Sequence, residues 1–147
     1  MQKRDGDAGY DLYAMTEGDI VIKKHKTVLI PTGQKVAIES NRMVGFIKER
    51  GSTGVLGMKA SAGVVDSNFR GEILVFLYNA THKTIVITEK VEKVKETMFK
   101  IYYPKSKAVA QMVLLEMPDV VQNDLTDEEF AEKVNTERGE GMLGSTN

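Results

Sequence analysis

The chain has no cysteine, which excludes a disulfide framework and any thiolate metal site and suits a reducing compartment. It also lacks an imbalance of charge. Twenty basic residues stand against 21 acidic ones, a net charge of −1, so no global field recruits a polyanion and nucleic acid is not an expected partner. No apolar run approaches the ~20 residues that cross a bilayer. The opening Met1-Gln2-Lys3-Arg4-Asp5-Gly6-Asp7 has no apolar core of the kind a secretion signal needs. No membrane partner is therefore expected, and the sequence reads as a soluble, cytoplasmic protein. Internal repeats, low-complexity tracts and linkers are missing too. What is present, 147 residues of which 41% are hydrophobic, suffices for one core and one domain.

Most of the chain reads as short strands divided by turn signals. Ile20-Val21-Ile22, Thr27-Val28-Leu29-Ile30 ahead of Pro31-Thr32-Gly33, Lys35-Val36-Ala37-Ile38 and Met43-Val44-Gly45-Phe46-Ile47 are rich in β-branched residues. Residues 73–79 form a continuous apolar run of strand length, and Thr84-Ile85-Val86-Ile87-Thr88 and residues 108–115 follow. This spacing predicts an all-β sandwich or barrel. One short helix is expected, because Thr126-Asp127-Glu128-Glu129 spells a capping box opening residues 128–134. Residues 89–100 carry dense mixed charge. Val91, Val94 and Met98 recur there at near-helical spacing, yet the β-branched content also suits a strand, so both remain open, and a solvated charged excursion is the favoured character.

Chemistry concentrates in two stretches. Residues 62–72 place Asp66 on a tight hairpin with the Phe69 ring three residues on. Gly63 and Gly71 would let ligand atoms approach the backbone, and Val64 and Val65 are expected to shield Asp66 from water. Hydrolysis of a phosphoanhydride needs an oriented water, a base and groups that stabilise phosphate charge, and Asp66 can supply the base. Taken singly, an aspartate at a hairpin is more often a turn former and a phenylalanine more often core. Glu49-Arg50-Gly51-Ser52-Thr53-Gly54 offers a guanidinium and two hydroxyls to phosphate oxygens, although alone it reads as a surface loop. Residues 138–146 combine Arg138 with glycines, Ser145 and Thr146, which suits a flexible loop that orders over an anion as well as a frayed terminus.

The order of these segments resembles the trimeric dUTP pyrophosphatases (dUTPases), whose five motifs follow one another from Ala8 to Thr146. The first, Ala-Gly-aromatic-Asp-Leu, stands as Ala8-Gly9-Tyr10-Asp11-Leu12, and the second, Arg-Ser-Ser or Arg-Ser-Gly, as Arg50-Gly51-Ser52. The third, Gly-Val-Ile-Asp-x-x-Tyr-Arg-Gly, is Gly63-Val64-Val65-Asp66-Ser67-Asn68-Phe69-Arg70-Gly71. The fourth, Gly-Asp-Arg-Ile-Ala-Gln, survives as Val109-Ala110-Gln111, and the glycine-rich fifth occupies residues 138–146. Five modest motifs in order are highly specific.

The resemblance implies a jelly-roll homotrimer that hydrolyses dUTP to dUMP and pyrophosphate. Asp66 would orient the attacking water, Phe69 would lie under the deoxyribose, and backbone from Gly63 through Val65 to Val75 would read the uracil edge. Arg50, Gly51, Ser52 and Gln111 would line the α- and β-phosphates; Arg138, Leu143, Gly144, Ser145 and Thr146 would close over the substrate as a lid, leaving residues 1–137 as the barrel domain. Mg²⁺ would ride on the triphosphate, with Asp11 touching it through water. Motifs one, two and four would come from one chain, the hairpin from a second and the tail from a third. The chain departs from the family pattern at Gly51, which replaces a serine, at Phe69 and Leu143, which replace tyrosine and phenylalanine, and at Ser106 and Lys107, which replace Gly-Asp. The long stretch between the third and fourth motifs, about residues 80–107, resembles an insert of phage-encoded members, whose setting would be the host cytoplasm. Two alternatives accompany this reading: a weakly catalytic regulatory member that binds a protein partner through the insert, and a dCTP deaminase-like enzyme.

Overall fold

The computed structural model describes Met1 and residues 3–133. Eleven strands and two short helices follow in order: β1 (Gly9–Leu12), β2 (Ile20–Ile22), β3 (Thr27–Pro31), β4 (Met43–Lys48), α1 (Gly51–Val55), β5 (Met58–Ser61) and β6 (Val64–Val65). Then come β7 (Leu74–Asn79), β8 (Thr84–Thr88), β9 (Lys95–Glu96), β10 (Lys100–Pro104), β11 (Ala110–Glu116) and α2 (Asp127–Lys133). The strands form three sheets, ordered β1-β11-β4-β6, β2-β8-β10-β9 and β3-β7-β5. Every pairing is antiparallel except β8 with β10. All three sheets direct side chains into one core that includes Leu12, Ile22, Ile30, Met58, Leu77, Ile85, Tyr103 and Met112. The period-2 pleat explains the division: in β2, Ile20 and Ile22 are buried while Val21 faces out, and in β7, Val75, Leu77 and Asn79 are buried while alternate residues stay half-exposed. Among the described residues no helix is long and apolar enough to cross a membrane.

Asn79 closes the far end of β7. It is fully buried, and its amide nitrogen donates to Ile22 O at 2.9 Å and Lys83 O at 2.8 Å while its oxygen accepts from Thr81 N at 2.9 Å. Removing that amide leaves buried carbonyls without donors, so Asn79→Ala is expected to cost about 2–4 kcal/mol in chemical denaturation.

Two expectations from the sequence need correction. Residues 35–38 are not a strand: Val36 and Ile38 are half-buried in alternation, but no described strand pairs with them. Their backbone leaves β3 at Gly33, whose φ of 65° turns the chain away from the β3-β7 ladder. Among the described residues there are two helices where one was expected. The unread one, α1, contains two glycines and no strong helix former, and is held by the Thr53 hydroxyl, which donates to Arg50 O at 3.0 Å and accepts from Arg50 N at 2.9 Å while the side chain is fully buried. The expected helix is present one residue earlier, at Asp127–Lys133, with the capping box in place between Thr126 and Glu129; Val134 lies outside the described residues.

Residues 80–107, the stretch compared with a phage-type insert, place Ile85, Ile87, Ile101 and Tyr103 in the core. At about 1.5–3 kcal/mol for each fully buried large apolar side chain, β8 and β10 contribute to the barrel's stability and cannot be regarded as a removable loop. Only the charged middle, residues 89–100, behaves as the solvated excursion expected, with Val91 and Val94 half-buried and its ladder pairing limited to the two-residue β9 and to Lys100 at the start of β10.

Candidate active site

The hairpin that carries Asp66 is anchored first through β6. Gly45 and Phe46 of β4 pair with Val65 and Val64, and Ile47 N donates to Gly63 O at 2.8 Å. Gly63 is required here. Its φ is 103°, and a Cβ would sit 2.9 Å from Ile47 O. The tip is closed by Phe69 N donating to Asp66 O at 3.0 Å and by Arg70, whose guanidinium donates to Ser67 O and Phe69 O. At the second glycine, a Cβ on Gly71 would lie 2.5 Å from Phe69 Cζ, so the bare backbone of Gly71 is what lets the ring fold back. These residues bound a cavity of about 290 Å³ bordered by the hairpin from Gly63 through Val64, Val65, Asp66 and Phe69 to Glu72, Ile73 and Leu74, with Ile47 and Phe76 completing it. Val64, 62% exposed, and buried Val65 both border this cavity together with Asp66, which is itself exposed.

A second cluster is built on the β1-β11-β4 sheet. Asp11, Gln111 and Lys48 are direct cross-strand partners, so their side chains share one face. Gln111 donates through Nε2 to Glu49 O at 3.2 Å, and its oxygen occupies the space a Cβ on Gly9 would need, 2.7 Å away. Arg50 Nε meets Asp11 Oδ1 at 3.0 Å. That pair is partly open, leaving the rest of the guanidinium fork for an anion. Gly51 and Ser52 follow at the exposed start of α1.

Glu49 places a carboxylate beside this cationic loop. A hydrogen bond from its own backbone holds it below the usual carboxylate range, with Lys48 at 3.8 Å and Lys59 at 4.0 Å acting in the same direction. These two lysines offset the charge that would otherwise repel a phosphate. Beneath the loop, Tyr103 donates to Ala108 O at 2.8 Å; burial pushes its phenol up, against the opposing influence of Ser52 and Arg50.

The structure thus brings Asp11, Arg50, Ser52 and Gln111 together, and separately Gly63, Val65, Asp66 and Phe69; neither Arg50 nor Gln111 lines the hairpin cavity. Arg138, Leu143, Gly144, Ser145 and Thr146 lie outside the described residues. Lys48 and Tyr103 were not anticipated. Lys48 alternates with Phe46 on β4, a signal that becomes readable only once the register with Gln111 is known. Among the described residues no cluster of three metal-ligating side chains occurs.

An antiparallel β protein with a glycine-framed aromatic cavity and a nearby Arg-Gln-Asp cluster has the parts of a nucleotide-binding enzyme. A dUTPase family model matches residues 1–147. The deoxyuridine 5'-triphosphate nucleotidohydrolase of Pseudomonas fluorescens is 36% identical over 144 residues, covering 95% of this chain and 80% of that protein. Its counterpart in Mycolicibacterium gilvum is 32% identical over 147 residues, covering 97% and 82%. Among solved structures, native EIAV dUTPase matches with a TM-score of 0.65 at 25% identity over 86% of this chain and 89% of that one. The Staphylococcus bacteriophage 80alpha dUTPase with dUpNHpp reaches 0.68 at 20% identity over 100% and 90%, a likeness of fold. The chain belongs to the dUTPase family.

Proposed function

We infer that this chain hydrolyses dUTP to dUMP and pyrophosphate, and that the hairpin cavity is its nucleoside pocket. The observation that carries this is the pairing of an Asp66-Phe69 hairpin cavity with a separate Arg50-Gln111 anion cluster, within a chain matched end to end by the dUTPase family. Main-chain groups of residues 63–75 read the uracil edge and leave no room for a 5-methyl group. Phe69 lies under the deoxyribose, and Asp66 orients water for attack at the α-phosphate. Arg50, Ser52 and Gln111 hold the α- and β-phosphates. Their approach is helped by Gly51, where nothing lies within 4 Å of the Cβ position.

Asp11 fits a metal carried by the substrate rather than caged by the protein, because it is a single, half-buried carboxylate already paired with Arg50. Mg²⁺ bound with the triphosphate supplies charge neutralisation there, and Asp11 would hold it through water. Resemblance to the trimeric dUTPases implies a homotrimer in which the hairpin of one chain faces the cluster of another, and the separation of the nucleoside cavity from the phosphate cluster within one chain is consistent with that arrangement. Arg138, Leu143, Gly144, Ser145 and Thr146 of a third chain cover the substrate. The dCTP deaminase alternative is disfavoured by β7, which carries no carboxylate. A regulatory role through residues 80–107 gains no support from a segment whose two main strands are core.

Turnover of dUTP, dTTP, dCTP and UTP under identical conditions tests the proposal. Only dUTP should be converted at an appreciable rate. Comparable rates with dTTP would defeat the backbone-read uracil pocket, and conversion of dCTP to dUTP would restore the deaminase alternative.

A further inference from the structure

The hairpin has two feet: the first is held by the pairing of β6 with β4, and the second runs into β7, whose first residue Leu74 pairs with Pro31 of β3. The second, Glu72-Ile73, is fastened to the turn that follows β3. One carboxylate oxygen of Glu72, Oε1, accepts from Thr32 N at 3.1 Å and from Gly33 N at 2.8 Å. Thr32, 1% exposed, donates through Oγ1 to Ile73 O at 2.7 Å, and Ile73 N donates to Gln34 O at 2.8 Å. The Thr32 hydroxyl also accepts from Gln34 N at 3.2 Å, which fixes its rotor. Four hydrogen bonds thus tie residues about 40 positions apart in sequence, and the buried one is shielded from water, where it is stronger and its loss more costly.

We propose that Thr32 and Glu72 are positioning residues for nucleoside recognition, acting by clamping the second foot of the hairpin so that the Phe69 ring is held at the cavity. Mechanically the route is short. Gly71 precedes Glu72, and the Phe69 ring rests against Gly71 closely enough that no Cβ fits between them. The first foot, by contrast, fixes Gly63 to Val65 on β4 and ends one residue before Asp66. Releasing the second foot therefore frees Phe69 while the β4 anchor persists. The phosphate cluster does not depend on the clamp, because Arg50 and Gln111 are held by Asp11 and by Glu49 O. The inference rests on the assignment of the cavity to the nucleoside.

The test compares wild type with Thr32→Val, Glu72→Ala and Glu72→Gln by calorimetric titration with dUMP and separately with pyrophosphate, and by amide exchange at Phe69. Thr32→Val and Glu72→Ala are expected to weaken dUMP about tenfold, leave pyrophosphate within about twofold and speed exchange of the Phe69 amide, as loss of one or two buried or charged hydrogen bonds would do. Glu72→Gln keeps the Oε1 acceptor and should stay near wild type. The UTP-to-dUTP rate ratio should rise in the two damaged variants, because the ring that excludes a 2′-hydroxyl is loosened. Because Glu72 borders the cavity and Thr32 does not, Thr32→Val decides: unchanged dUMP affinity in Thr32→Val, or equal losses for dUMP and pyrophosphate, would overturn the clamp. A wild-type protein that binds pyrophosphate but no dUMP would count against the nucleoside assignment, and the Phe69 exchange would then decide the clamp alone: faster in the two variants supports it, unchanged refutes it.

Discussion

Asp66→Asn should bind dUTP with nearly the wild-type affinity and turn it over two to four orders of magnitude more slowly, roughly the range for loss of a general base. The substitution is close to isosteric and leaves the backbone bond from Phe69 N to Asp66 O in place, so the hairpin keeps its shape. The side chain is exposed and lines the cavity, so no core contact is lost with its charge. What disappears is the ability to take a proton from water. Single-turnover kinetics with a parallel binding titration separates the two effects, and a mutant with near-normal turnover would remove Asp66 from the mechanism.

The second large effect concerns the shared site. A variant lacking residues 138–147 and the Asp66→Asn variant should each be inactive alone. Refolded together, they should recover a fraction of wild-type activity. Some mixed trimers would carry an intact hairpin from one parent facing an intact tail from the other, whereas a site contained in a single chain gains nothing from mixing. Recovery should rise with subunit exchange, followed by native mass spectrometry of differently tagged parents. Verified mixed trimers with no activity above either parent would contradict the three-chain site.

The legibility of this protein in its sequence follows the strength of local signals. Strands β2, β3, β4, β7 and β8 were readable because β-branched residues alternate or run between clear turns, and α2 because Thr126 and Glu129 spell a local cap. β1 and β10 were not read as strands. Gly9-Tyr10-Asp11-Leu12 is short and carries a glycine and a charge, and becomes a strand by pairing with β11. Lys100-Ile101-Tyr102-Tyr103-Pro104 adjoins a charged stretch and is fixed by parallel pairing with β8, a contact no local pattern encodes. Helix α1 was hidden by its two glycines and its brevity: it is held by local capping bonds between Arg50 and a buried threonine, Thr53, that is not a typical partner at that position of a cap.

For the site, Asp66, Phe69, Arg50 and Gln111 were visible as motif residues. Their division into a hairpin group and an Asp11-Arg50-Gln111 group followed from the family resemblance, but the register that builds the second group, with Lys48 in it, was not legible. The Asp11-Gln111-Lys48 row exists only when three strands far apart in sequence align.

Hydrolysis of dUTP in water enriched with oxygen-18, with both products analysed by mass spectrometry, tests the central claim most directly. An Asp66-oriented water attacking the α-phosphate puts one labelled oxygen on dUMP and none on pyrophosphate. Label in pyrophosphate would place the attack at the β-phosphate and contradict the roles given to Asp66, Arg50 and Gln111, and absence of turnover with Mg²⁺ present would contradict the assigned reaction itself.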